Sequence, residues 1–221
     1  MPKTQPRGSY GLKDSPFFKL QSRKRLAELL YVSSDTLATI VQDKNLYVRR
    51  WKHKKLDQWL KVEPQGEEAQ NYRPIDIPDP RLKAVQSRIA DLLGRIAPPD
   101  FLFSPVKGRS YVDNAACHLG SKAFWLLDVA DYFPSCTSNN AARFFRRDLE
   151  CSPDVTAMLV QIGTHQGSLP QGSPCSPILA YFSNSPMWDE IAKLVRAEGC
   201  KVSIYADDIT VRTGRWLNGV Y

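Results

Sequence analysis

The sequence predicts an α+β protein in which a small antiparallel sheet is surrounded by helices. Three observations carry this expectation. Leu82, Val85, Ile89, Leu92, Leu93 and Ile96 recur at spacings of three and four, which marks a helix with one face on a core. The run Ala123-Phe124-Trp125-Leu126-Leu127 is continuous, apolar and about one strand long. Residues 201–205 and 209–212 are short β-prone stretches flanking Asp207-Asp208, the pattern of a hairpin with two carboxylates near its tip. No internal repeat or low-complexity segment interrupts the chain.

Taken in order, the first 18 residues are rich in Pro, Gly and Lys and read as a flexible arm. Residues 20–31 read as a short helix, and Ser33-Ser34-Asp35 offers a polar cap to a second one reaching about Lys44. Residues 47–59 are compatible with helix or strand. Residues 61–78 read as a hairpin, two short arms around the polar loop 63–68. The amphipathic helix after Pro80 ends at Pro98-Pro99. Beyond the strand at 123–127, helices are expected at 138–149, 153–165 and 177–198, the last broken or kinked at Pro186.

Of 221 residues, 43% are apolar and 24% charged, the balance of a soluble globular chain and neither a disordered polyelectrolyte nor a membrane protein. The longest apolar runs, at 123–127 and 178–182, are too short to span a bilayer. No apolar stretch follows the N-terminal cations, so no secretory signal is expected and the location expected is cytoplasmic. Cys117, Cys136, Cys151, Cys175 and Cys200 are odd in number and widely spaced, which argues against a disulfide framework or a structural zinc site. The net charge of +7 is uneven: residues 1–110 carry 21 Lys and Arg against 12 Asp and Glu, whereas residues 111–221 carry 9 against 11. The densest basic stretch is Arg49-Arg50-Trp51-Lys52-His53-Lys54-Lys55, with Trp59 and Lys61 close behind. Cations alternating with aromatics suit a phosphate backbone and stacked bases; a solvated helix face is the plainer account.

Three carboxylates stand where a core-filling sequence would not place them: Asp128 at the end of the apolar strand, and the pair Asp207-Asp208. A carboxylate beside a core is costly unless a cation binds it. Hard divalent ions suit such donors, and two ions on shared carboxylates can organise phosphoryl transfer. Taken alone, the Asp pair is ordinary turn chemistry. Adjacent strand residues face opposite ways, so Asp207 is the firmer metal ligand of the two.

The wider string Tyr205-Ala206-Asp207-Asp208 resembles the Tyr-x-Asp-Asp hairpin of reverse transcriptases. Residues 127–135, Leu-Asp-Val-Ala-Asp-Tyr-Phe-Pro-Ser, resemble the strand carrying that family's first metal ligand. Between them, residues 167–177 are similar to the Leu-Pro-Gln-Gly loop of bacterial reverse transcriptases, in the order that family requires. The finer likeness is to retron-type enzymes: Asn114-Ala115-Ala116-Cys117-His118 matches their Asn-Ala-x-x-His signature, and residues 72–86 resemble their fingers hairpin and following helix. The resemblance covers about residues 45–213.

That resemblance implies a right-hand polymerase with an N-terminal arm and helices at 1–44, fingers at 45–110 and an incomplete palm at 111–221, the thumb absent. It implies an RNA-directed DNA polymerase working on a structured non-coding RNA template and primer with deoxynucleoside triphosphates, in antiphage defence. Asp128, Asp207 and Asp208, with Val129 beside them, are the implied holders of two Mg2+ ions, for which Mn2+ can substitute. Arg73 and Lys61 are implied to meet the triphosphate, as guanidinium and ammonium groups do. Asp131 and Tyr132 adjoin it, and Phe133 is the implied steric gate against a ribose 2′-hydroxyl. Gln171 and Gly172 are implied to lie beside the nascent base pair. RNA contacts fall on Arg49, Arg50, Trp51, Lys52, Lys54 and Lys55, while Asn114 and His118 are structural or RNA-contacting. Further partners admitted by the resemblance are a separate chain supplying the thumb and a defence effector protein, with no membrane partner. The other reading is a catalytically silent nucleic-acid-binding fragment, or one half of a split reverse transcriptase.

Overall fold

The computed structural model describes residues 8–214. They form two small sheets among helices. The first sheet has the order β2-β1-β3, with β1 (Tyr47–His53) central, β2 (Trp59–Leu60) short and β3 (Tyr72–Pro78) at an edge. The second has the order β4-β6-β7-β5, built from β4 (Leu102–Ser104), β5 (Ala123–Asp128), β6 (Lys201–Tyr205) and β7 (Asp208–Thr213). Only β4 runs parallel to its neighbour there, the other pairs being antiparallel. Residues 102–104, grouped by sequence with the first half, thus belong to the second sheet.

Helix α1 (Arg23–Leu29) and helix α2 (Ser34–Gln42) begin where the Ser22 and Ser33 hydroxyls accept the Arg25 and Thr36 amides. The segment expected to be a flexible arm is instead docked from residue 8 onward, its first seven residues lying outside the described ones. Phe17 is fully buried, the Tyr10 amide donates to the Arg95 carbonyl, and Lys19 donates to Leu149. Phe17 in the core, with Tyr10, Leu12 and Phe18 packed against it, supplies the apolar burial that anchors the stretch.

The expected hairpin over 61–78 does not form. Residues 72–78 pair with β1 along its whole length, Tyr47 opposite Pro78 through His53 opposite Tyr72, while Gly66–Asn71 is a 3₁₀ turn. The basic stretch is therefore a strand rather than a helix face, and its cations divide between two surfaces. Gln86 of helix α3 (Pro80–Leu93) fixes the sheet to the core: its buried amide donates to the Tyr47 hydroxyl at 2.7 Å and to the Ile162 carbonyl at 2.8 Å. Burial pushes the Tyr47 hydroxyl well above the usual range.

After the short α4 (Tyr111–Ala116), α5 (Tyr132–Ser135) and α6 (Ser138–Arg143), a π-helical turn over Phe144–Asp148 lets two consecutive phenylalanines point into the core. Phe144 stacks on Phe182 at 4.9 Å. Helix α7 (Pro153–Gly163) packs on this turn, and α8 (Ser176–Ser183) is buried on nearly every side. The expected break at Pro186 occurs: α9 (Ser185–Ala197) starts afresh after Asn184. Cys136, Cys151 and Cys175 are thiols pushed by burial up to about 11, hence inert.

Trp188 of α9 is fully buried and meets the Tyr132 ring edge-on at 5.9 Å. Trp188→Ala is expected to cost about 3–5 kcal/mol in urea unfolding, the range for deleting a large core aromatic. A loss under about 1 kcal/mol would show that the site collapses around the gap. Among the described residues, no helix is long and apolar enough to cross a membrane.

Candidate active site

The second sheet gathers the three aspartates at one end. Asp128, last residue of β5, is the cross-strand partner of Asp208, first residue of β7, and Tyr205 pairs with Asp208 across a tight turn made by Ala206 and Asp207. Ala206 sits at φ 58°, a left-handed conformation uncommon for a residue with a side chain. The Val129 amide donates to the Asp207 carbonyl at 3.1 Å, tying the turn to the end of β5. Asp207 thus lies in the turn, outside the strand alternation that Asp128 and Asp208 obey. Both strand aspartates are exposed, and Asp207 is half-buried.

Although the residue is exposed as a whole, partial desolvation of its carboxyl, and then the neighbouring Asp207 and Asp128 carboxylates, hold Asp208 above the ordinary carboxylate range. A proton or a cation relieves such crowding. The donors are hard oxygens suited to a divalent ion, so the residues fit the expected metal in kind. Among the described residues, however, no three His, Cys, Asp or Glu side chains are gathered into a ready-made ion cage.

Downstream of Asp128, Asp131 adopts φ 48° and precedes α5 without capping it through its side chain. Its carboxylate stays exposed, Tyr132 is buried, and Phe133 is half-buried against the core. Gln171 and Gly172 lie against β3: the Asp76 amide donates to the Gln171 carbonyl at 2.7 Å, and a Cβ on Gly172 would stand 2.5 Å from the Asp76 carbonyl oxygen.

On the first sheet, Arg73 is exposed and directly opposite Lys52, whose ammonium lies 5.1 Å from the Trp59 ring centroid. Alternation places Arg50 on the face of Lys52 and Arg73, with Arg49 and Trp51 on the other. Lys54 and Lys55 are exposed just past β1. Lys61 is exposed beyond β2, two strands from Arg73, so the two do not stand on facing arms of one hairpin. Arg49 is held in a fork by Asp76, Nε to Oδ1 at 2.8 Å and Nη2 to Oδ2 at 3.0 Å.

His118 is buried, its Nε2 is 2.6 Å from the Ser203 hydroxyl, and burial with nearby Arg212 lowers its pKa. Of its two expected roles, this environment suits the structural one. Asn114, half-buried on α4, has an enclosed Oδ1 without a hydrogen-bond partner. Asp76 escaped the sequence reading, although a carboxylate between Ile75 and Ile77 in a short strand was the signal to follow.

Paired strand aspartates, a carboxylate-bearing turn and a glycine loop docked on a basic sheet are an arrangement that phosphoryl transfer can use once divalent ions are bound. The family model described as reverse transcriptase (RNA-dependent DNA polymerase) matches residues 53–215, and the chain belongs to this family. Within the family it is of the retron type. It is 30% identical over 149 residues to the retron Se72 reverse transcriptase of Salmonella heidelberg (strain 579083-10), a stretch covering 66% of this chain and 39% of the relative. It is 31% identical over 151 residues to the retron Ec86 reverse transcriptase of Escherichia coli, covering 68% and 47%. With the retron Mx65 reverse transcriptase of Myxococcus xanthus the identity is 31% over 159 residues, covering 62% and 36%. The chain therefore matches less than half the length of these relatives.

Proposed function

We propose that this chain carries the fingers and palm of a retron-type RNA-directed DNA polymerase, which extends a primer with deoxynucleotides along a structured non-coding RNA. The observation that carries this reading is the cross-strand pairing of Asp128 with Asp208 beside the Asp207 turn. Asp128, Asp207 and Asp208 would hold Mg2+. When bound, two such ions activate the primer hydroxyl and neutralise the departing pyrophosphate. The chain's own groups bind and orient. Arg73 forks onto triphosphate oxygens, with Lys61 a second cation, and the exposed Asp131 and the Tyr132 backbone border the same nucleotide. Gln171 positions the base pair, and Arg50 and Lys52 on one face of β1, with Trp59 and the exposed Lys54 and Lys55 just past the strand, follow the RNA backbone, while Trp51 stands on the opposite face with Arg49. A role in antiphage defence, alongside an effector protein, rests on the retron kinship alone.

The test is primer extension on an RNA template with Mg2+ and deoxynucleotides. Templated products support the reading; RNA binding without extension would leave only a nucleic-acid-binding module. The half-buried Phe133 supplies a second check. Phe133→Ala is expected to raise ribonucleotide use at least about tenfold relative to deoxynucleotide, since the excluded 2′-hydroxyl then has room and a few kcal/mol of steric penalty disappears. An unaltered preference removes Phe133 from the gate.

A further inference from the structure

β3 is an edge strand, so half of its backbone groups face away from β1. At Asp76 that outward edge is occupied by the loop that carries Gln171 and Gly172. The Asp76 amide donates to the Gln171 carbonyl at 2.7 Å, and its own carbonyl comes so near Gly172 that no side chain fits between them. The Asp76 side chain, on a residue only 8% exposed, turns back across β1 and grips Arg49 through both carboxylate oxygens. Arg49 in turn reaches the Gln166 side-chain oxygen at 3.4 Å, at the start of the same loop. Residues 166–172 are thus tied to the first sheet at both ends, by a backbone hydrogen bond at one and a guanidinium at the other. Three residues before Asp76 on β3 lies Arg73.

We propose that Asp76 and Arg49 are positioning residues, a latch that holds the Gln171-Gly172 loop at a fixed height against β3 and so sets Gln171 relative to Arg73. The inference rests on the reading of Arg73 and Gln171 as nucleotide contacts. It also reassigns Arg49: a surface cation that its position in a basic stretch offers to RNA is committed instead to an intramolecular pair with Asp76. A planar fork on a mostly buried carboxylate is a fixed geometry, unlike a lysine on a phosphate. Loosening it displaces the loop by fractions of an ångström, enough to weaken nucleotide binding without touching the reacting atoms.

The experiment compares Arg49→Gln, Asp76→Asn and the exchange Arg49→Asp with Asp76→Arg against the unaltered 221-residue chain. The measurements are deoxynucleotide KM and kcat on an RNA template, RNA affinity by fluorescence anisotropy, and amide exchange of the peptide spanning 166–175. Both single variants are expected to raise KM about tenfold with kcat falling less than threefold, to hold RNA affinity within twofold, and to exchange faster across 166–175; the swap recovers part of the KM. An unchanged KM or unchanged exchange overturns the latch. So does a drop in RNA affinity for Arg49→Gln without a KM effect, which returns Arg49 to the RNA surface. Absence of extension by the unaltered chain sinks the polymerase reading instead, while the exchange measurement still reports whether the tie exists.

Discussion

Asp207→Asn is expected to abolish magnesium-dependent deoxynucleotide incorporation, a fall of about 10³-fold or more, because stabilisation of charge by carboxylate-held ions is worth several kcal/mol. The substitution is nearly isosteric, and the structural duty of residue 207 is carried by its carbonyl, which accepts the Val129 amide. Fold and RNA affinity are therefore expected to survive, which separates a chemical loss from a collapse. Asp208 supplies an independent readout. Its carboxyl is held high by burial first and by Asp207 next, so removing the Asp207 charge moves it back toward the ordinary range. A carboxylate raised by folding stabilises in its protonated form, and that contribution is lost as pH rises from the ordinary range through the raised one. Without magnesium, above that window, the Asn variant is expected to melt slightly higher than the parent. Added Mg2+ raises the parent's midpoint and leaves the variant's nearly unmoved. Incorporation within tenfold of the parent would sink the assignment of Asp207.

Gly172→Ala is the second large effect. Residue 172 sits at φ 122°, a region that side-chain-bearing residues rarely occupy, and an added Cβ would lie 2.5 Å from the Asp76 carbonyl oxygen and 3.0 Å from the Ile75 methyl. Backbone cannot yield there without giving up the bond from Asp76 to Gln171. The expected result is a loss of about 10²-fold in kcat/KM, the scale of a misplaced orienting group, together with about 1–3 kcal/mol of stability. Gly167→Ala is the control, since residue 167 shares a positive φ of 86° but has nothing within 4 Å of the added carbon. It keeps the conformational penalty and lacks the collision, so it is expected to lose less than tenfold. Equal effects at the two positions would remove the contact with Asp76 from the explanation.

What could be foreseen from sequence divides along chain distance. Helix α3, the β6-β7 hairpin, the break at Pro186 and the position of Asp128 all follow from patterns contained within a turn or two, where periodicity and turn chemistry act. Asp128 was legible at the end of an apolar strand, and the Asp207-Asp208 pair, ordinary turn chemistry by itself, through the β-prone stretches that flank it. The first sheet was not, since its register joins residues 47–53 to residues 72–78 across an intervening strand and 3₁₀ turn, and no local pattern states which strand a strand will choose. Arg49 shows the cost of that blindness: in sequence it is one cation among several, and its partner lies 27 residues on. Phe17 shows the converse: with Tyr10, Leu12 and Phe18 it gives a Pro- and Lys-rich arm a few scattered apolar residues without helical or strand periodicity, and they find a core that no local pattern announces.

The strand that presents Asp128 has one property with practical reach. β5 lies at the margin of its sheet, and Leu126, 77% exposed, stands with exposed Phe124 and Leu127 along it. An uncovered, oily margin is a template on which strands from other molecules assemble. Among the described residues this margin is the place where self-association is expected, and Leu126→Lys is expected to raise the concentration at which the protein stays monomeric in light scattering, two residues away from Asp128.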